Sequence, residues 1–192
     1  MRDVLNAGIR LLVIALVASL LLAGTNMITR GPIAEHTREQ TIAARLAVMP
    51  GADSFEPVEW PESIALTEFP SLVEVYEARS SGELIGYTFL YTPMGYKAEI
   101  PVSVGISLPE TPGAPAFITG VTIGDISETS GLGSRIKDEA FLSQFRGVQS
   151  NLLNEDVDTI SGATISSGAV KNAAKNAILA FDAIRLSAQP AQ

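Results

Sequence analysis

The chain has 192 residues, enough for one compact domain and a short appendage, and its 13 basic and 21 acidic side chains give a formal charge of −8 at pH 7. That balance offers no electrostatic footprint for a phosphate backbone, so nucleic acid is not an expected partner. With no Cys and a single His, the chain cannot build thiolate zinc sites, iron–sulfur clusters or disulfides, and any redox chemistry has to come from an organic cofactor.

From the N-terminus, Leu11 to Gly24 is apolar apart from Ser19. As a helix this run rises about 21 Å, short of the roughly 30 Å of hydrocarbon in a bilayer. Carried on through Thr25, Asn26, Met27 and Ile28 to Thr29 it reaches about 28 Å, with Arg10 and Arg30 as charged brackets at the two interfaces. Residues 1–30 are therefore expected to form a short tail and one transmembrane anchor. A cleaved signal peptide is the rival, and no small-x-small cleavage site follows the apolar run. Arg2 and Arg10 before the span face Arg30, Arg38 and Arg45 after it. Counting charges leaves the orientation open, because long domains translocate largely regardless of charge.

Residues 31–54 read as a helical juxtamembrane connector that ends at Pro50 and Gly51, neither of which continues a helix easily. His36 lies on this charged segment with no second ligand at metal-binding spacing, so it is expected to be solvated. Phe55 to Pro70 is acidic and broken by prolines, with Glu56, Glu59, Glu62 and Glu68 around Trp60. It is expected to be irregular surface chain.

Strand signals follow in "LVEVYEA", "LIGYTFLY", "IPVSVGISL" and "AFITGVTIGDI", which are β-branched or aromatic and separated by Gly or Pro turns. Val102, Val104, Ile106 and Leu108 alternate onto one face. With "PETPGAP" as the turn between the last two, these segments are expected to form an antiparallel sheet. A short helix near Lys137 to Arg146 and a longer one from about Ser167 to Ile184 come next. The second carries an apolar stripe of Val170, Ala174, Ala177, Ile178, Phe181 and Ile184 for packing on the sheet. The class is α+β, with residues 55–192 as the folded domain.

Two stretches stand apart from this framework. In "SETSGLGSR", Gly131 and Gly133 would allow positive φ and close backbone approach to a ligand beside Glu128 and Thr129. In "DTISGATISS", Ser161, Thr164, Ser166 and Ser167 crowd the start of the terminal helix. One of these hydroxyls suffices to cap it. Several of them, with small Gly162 and Ala163 and free helix amides, suit a phosphate. No P-loop Lys is present and no Ser-His-Asp set can form, which argues against a nucleoside triphosphate site and a hydrolase.

Asp158, Ser161, Gly162, Ala163 and Thr164 match the DxxSGAT motif of covalent FMN-binding domains, and "ETSGLG", Glu128 to Gly133, resembles the ETPGLG loop that precedes it. Over nearly its whole length the chain resembles the G subunits of Rnf ion-translocating ferredoxin:NAD oxidoreductase complexes. The C subunit of the Na+-translocating NADH:quinone reductase, or another anchored extracytoplasmic flavoprotein, is the related alternative, and a flavin-free scaffold subunit a more distant one. The resemblance implies that a flavin transferase uses FAD and Mg2+ to attach FMN through its phosphate to the Thr164 hydroxyl. Asp158 would assist that modification. Ser161, Gly162 and Ser166 would lie near the phosphate, and Glu128, Thr129, Leu132 and Gly133 would line the flavin. It also implies an extracytoplasmic domain on the cytoplasmic (inner) membrane, membrane and iron–sulfur subunits as partners, and electron relay coupled to Na+ or H+ translocation. No catalytic residue or metal site is expected in the chain itself. Ser130 stands where the family has Pro, Asp125 and Ser127 where basic residues or His are common, and "GYKAEI" where a more Gly-rich turn is usual.

Overall fold

The computed structural model describes residues 2–59, 68–109, 111, 114–149 and 157–187. Trp60 and Glu62, the middle of the "PETPGAP" turn and the side chain of His36 lie outside the described residues. The chain divides into two compact units, Met1–Thr41 and Ile42–Gln192.

The first unit is helical. Helix α1, Arg2–Val48, begins here and contains the apolar stretch Asn6–Thr29, 24 residues of mean hydropathy 2.3, all of them exposed. At 1.5 Å per residue this is about 36 Å, enough to cross a bilayer. The two threonines that lengthen the run place their hydroxyls inside the helix: Thr25 Oγ1 donates to the Leu21 carbonyl at 2.9 Å and Thr29 Oγ1 to the Thr25 carbonyl at 2.6 Å. Each hydroxyl thus has a partner that does not depend on water.

The second unit is a five-stranded antiparallel meander in the order β1-β2-β3-β4-β5. Its strands are β1 (Ser54–Pro57), β2 (Leu72–Ser80), β3 (Glu83–Tyr91), β4 (Val102–Ser107) and β5 (Ile118–Ile123). Four are the predicted ones. The fifth corrects the reading of Phe55 to Pro70 as irregular: β1 pairs with β2 through Phe55↔Ala78 and Glu56↔Glu77. As an edge strand it tolerates Pro57, which has no amide to donate.

One face of the sheet is the core. Tyr87, Phe89 and Tyr91 of β3 stand opposite Ile106, Val104 and Val102 of β4, and all six are buried. Helix α3, Thr164–Ser187, lies on this face, and every residue of its predicted stripe is buried. Ala173, Ala174, Ala177 and Ala180 keep the helix close to the sheet, and Phe181 meets Tyr87 edge-on at 5.7 Å. Between β5 and α3 the predicted short helix is one α-helical turn, α2 (Glu139–Leu142), between 3-10 turns at Gly133–Lys137 and Ser143–Phe145. Phe141 and Phe145 plug it into the core.

The end of α1 covers the sheet's other face, which is why β4 is buried on both sides. Thr119 Oγ1 donates to the Val48 carbonyl at 2.5 Å, and a side chain at Gly105 would collide with that same carbonyl. Arg45 pairs with Glu74 at 2.6 Å and stacks over the Tyr76 ring at 3.5 Å. The last residues of the expected connector therefore pack as part of the second unit.

Candidate functional site

Three loops meet at the N-terminal end of α3 and enclose an open cleft of about 550 Å³. Its lining comes from the β3–β4 turn (Tyr96), the ETSGLG loop (Glu128, Thr129, Leu132, Gly133) and the motif segment (Gly162 to Ser166).

The motif segment owes its shape to a turn. The Ala163 amide donates to the Ile160 carbonyl at 2.9 Å, and Gly162, at φ +83°, occupies the third position, where a type II turn demands positive φ. Helix α3 starts at Thr164, three residues before the expected Ser167, so Thr164 stands in the first turn, whose amides have no intrahelical acceptor. The hydroxyls that crowd this region are used differently. Ser167 is fully buried, accepts from the Ile160 amide at 3.0 Å and donates to the Ala163 carbonyl at 2.9 Å, locking the turn to the helix. Ser166, 1% exposed, donates to Glu128 Oε2 at 2.9 Å. Thr164 is exposed on the cleft wall.

Glu128 ties the three loops together. Its Oε1 accepts the Lys97 amide at 3.0 Å while Oε2 accepts Ser166. Burial alone would raise its pKa, but the amides of Lys97, Ala98 and Tyr96 and the Ser166 hydroxyl outweigh that and hold the carboxyl below its ordinary value. Gly131 has the expected positive φ of +76°, but Gly133 does not. Gly133 serves by lacking a side chain, since a Cβ there would lie 2.5 Å from Glu128 Oε2. Gly95 does the same on the other side, 2.6 Å from Oε1.

Of the expected site residues, Glu128, Thr129, Leu132, Gly133, Gly162, Ala163, Thr164 and Ser166 converge on the cleft. Asp158 and Ser161 do not line it; both are exposed, and the Asp158 amide donates to the Gln144 side chain at 2.9 Å. Tyr96 and Ile165 join the lining without having been expected there. Both are exposed, Tyr96 by 67% and Ile165 by 58%, and with Leu132 they make an apolar rim. An aromatic residue at the tip of the polar "GYKAEI" turn was the available signal, since an exposed apolar cluster marks a binding surface. Among the described residues no cluster of His, Cys, Asp and Glu could hold a metal ion.

Family models match both ends of the chain: the RnfG N-terminal region over residues 1–48 and the FMN-binding domain over residues 95–179, an interval that contains every residue lining the cleft. The G subunit of the Na(+)-translocating ferredoxin:NAD(+) oxidoreductase complex of Acetobacterium woodii is 34% identical, with 93% of this chain and 91% of that protein covered. The G subunit of the ion-translocating oxidoreductase complex of Methanosarcina acetivorans is 32% identical over 92% of this chain and 94% of its own. The chain belongs to the G-subunit family of these oxidoreductase complexes. In this member of the family the cleft is assembled after β3, within residues 95–179 that match the FMN-binding domain. Among solved structures, NqrC of Shewanella oneidensis is similar at 19% identity and a TM-score of 0.48, covering 72% of this chain and 74% of that one.

Proposed function

We propose that this chain is a membrane-anchored flavoprotein that relays electrons through FMN joined by a phosphoester to Thr164. It works within an Rnf-type complex that couples electron transfer between ferredoxin and NAD to Na+ or H+ translocation. Residues 1–30 are the single-pass anchor, 31–54 the connector, whose last residues pack against the sheet, and 55–192 the rest of the FMN domain on the extracytoplasmic side. That orientation rests on the family resemblance.

One observation carries the attachment site: among the hydroxyls of the motif's helical turn, Thr164 faces the cleft from an exposed position while Ser166 and Ser167 are buried and hydrogen-bonded. The residues suit FMN. Tyr96, Leu132 and Ile165 offer apolar contact to a planar ring, and a volume of about 550 Å³ lies within the range of cofactor sites. First-turn amides of α3 and its dipole favour the phosphate charge. Asp158 and Ser161, exposed beside the cleft lining, are accessible to a flavin transferase working with FAD and Mg2+. When bound, FMN supplies the capacity to accept and pass on one or two electrons, and the protein supplies position and electrostatics. A covalent bond keeps it from being lost to a dilute compartment.

Peptide mass mapping of the chain from its native membrane, or from co-expression with a flavin transferase, tests this reading. The FMN mass is expected on the Thr164 peptide. An unmodified Thr164, or FMN on Ser161 or Ser166, overturns the assignment.

A further inference from the structure

Glu128 is the one ionisable carboxylate in the cleft lining, and none of the described residues that share the lining is a cation. Its negative charge is met instead by neutral donors: the Lys97 amide on Oε1, the Ser166 hydroxyl on Oε2, and the amides of Ala98 and Tyr96. Backbone amides of this kind stabilise a carboxylate but have no proton to give it. Gly95 and Gly133 leave the room it occupies on either side, because a Cβ on either one would overlap a carboxylate oxygen, and the Lys97 and Ser166 hydrogen bonds fix it there. Three separate segments of chain thus converge to keep one negative charge ionised and stationary in the wall of a cleft.

We propose that Glu128 is a built-in negative charge that lowers the reduction potential of the flavin held in this cleft. The proposal rests on the reading that FMN occupies it. Each electron delivered to a neutral ring without a proton adds one negative charge there and oxidises the donor by one electron, with no bond made or broken. A carboxylate in the same wall opposes that added charge, with an energy that grows as separation and local dielectric fall. The neutral oxidised ring meets no such repulsion, so the difference between the two states appears as a lower potential. Positioning explains the glycines: a carboxylate free to swing into solvent would be screened.

The experiment is a mediated redox titration of the full-length chain, co-expressed with a flavin transferase and solubilised in detergent, with covalent FMN first verified by intact mass. Glu128→Gln keeps the shape and removes the charge, so its potential is expected above that of the wild type. Glu128→Asp keeps the charge and should stay closer to the wild type than Glu128→Gln does. Equal potentials in the wild type and Glu128→Gln, or equal shifts in both variants, overturn the proposal. If Glu128→Gln does not fold, Ser166→Ala retains the carboxylate but removes a donor that screens it. Its potential should then fall below the wild type, and no change there also overturns the proposal. Wild-type chain that carries no FMN would overturn the reading of the cleft itself, an outcome separate from any shift in potential.

Discussion

Ser166 and Glu128, 38 positions apart in sequence, are joined by a 2.9 Å hydrogen bond from the Ser166 hydroxyl to Glu128 Oε2. The bond fastens the first turn of α3 to the loop after β5, and the same carboxylate reaches the β3–β4 turn through the Lys97 amide. The geometry of the whole cleft therefore depends on space for one side chain. Gly133→Ala would put a Cβ 2.5 Å from that oxygen and 2.9 Å from Glu128 Cβ. Expelling the carboxylate or moving the loop costs about 1–3 kcal/mol, the usual range for overpacking. Thermal denaturation should show the loss, together with lower flavin occupancy.

Acid should weaken the same junction. The folded pKa of Glu128 lies below its ordinary value of 4.5, so its contribution to stability is fully present above that pH. It is lost as the pH falls through the lower folded value. The stability difference between the wild type and Glu128→Gln should accordingly be constant near neutrality and shrink below pH 4.5. Melting temperatures measured down the acid limb check this, and a gap that widened there would contradict it.

Thr164 is expected to be replaceable only by a residue with a hydroxyl. Thr164→Ala should abolish covalent flavin, and Thr164→Ser should retain part of it, with little change in melting temperature because the side chain is exposed. In-gel flavin fluorescence after denaturation reads the first effect and a thermal scan the second.

Arg45 tests whether the end of α1 belongs to the folded domain. Its side chain is 13% exposed, pairs with Glu74 at 2.6 Å and lies 3.5 Å above the Tyr76 ring. Arg45→Ala should cost on the order of 1 kcal/mol, combining a partly buried ion pair with a cation–π contact. It should also increase hydrogen exchange at the amides of residues 45–49. Equal exchange in both proteins would separate this helix end from the sheet.

Leu132 is half exposed on the cleft rim, and its Cδ2 lies 3.4 Å from where a Cβ of Gly162 would be. Leu132→Ala should shift the flavin absorbance bands while leaving the flavin attached. Thr129→Val, on the same loop, should do likewise. Unchanged spectra in both variants would remove the loop from the flavin's surroundings.

Period-two alternation in β2 to β5, the stripe on α3 and the long apolar run in α1 are local patterns, and burial follows them directly. They pointed to the α+β class, an antiparallel sheet containing four of its strands and the apolar N-terminal helix, while the order of the strands came from their pairing. The DxxSGAT register likewise singles out Thr164 as the residue proposed to carry the flavin. Strand β1 escaped because Pro57 and the surrounding acids mask a short edge strand whose evidence is its partner, β2. The role of Gly133 is hidden for a related reason: a glycine needed for the room it leaves is indistinguishable in sequence from one needed for positive φ. Only the tertiary structure decided that Ser166 and Ser167 are buried and bonded while Thr164 is open, and that Tyr96 and Ile165 complete the cleft. Each of these depends on which distant segment packs alongside, and side-chain periodicity carries no information about partners far away in the chain, such as Glu128 for Ser166 or Val48 for Thr119.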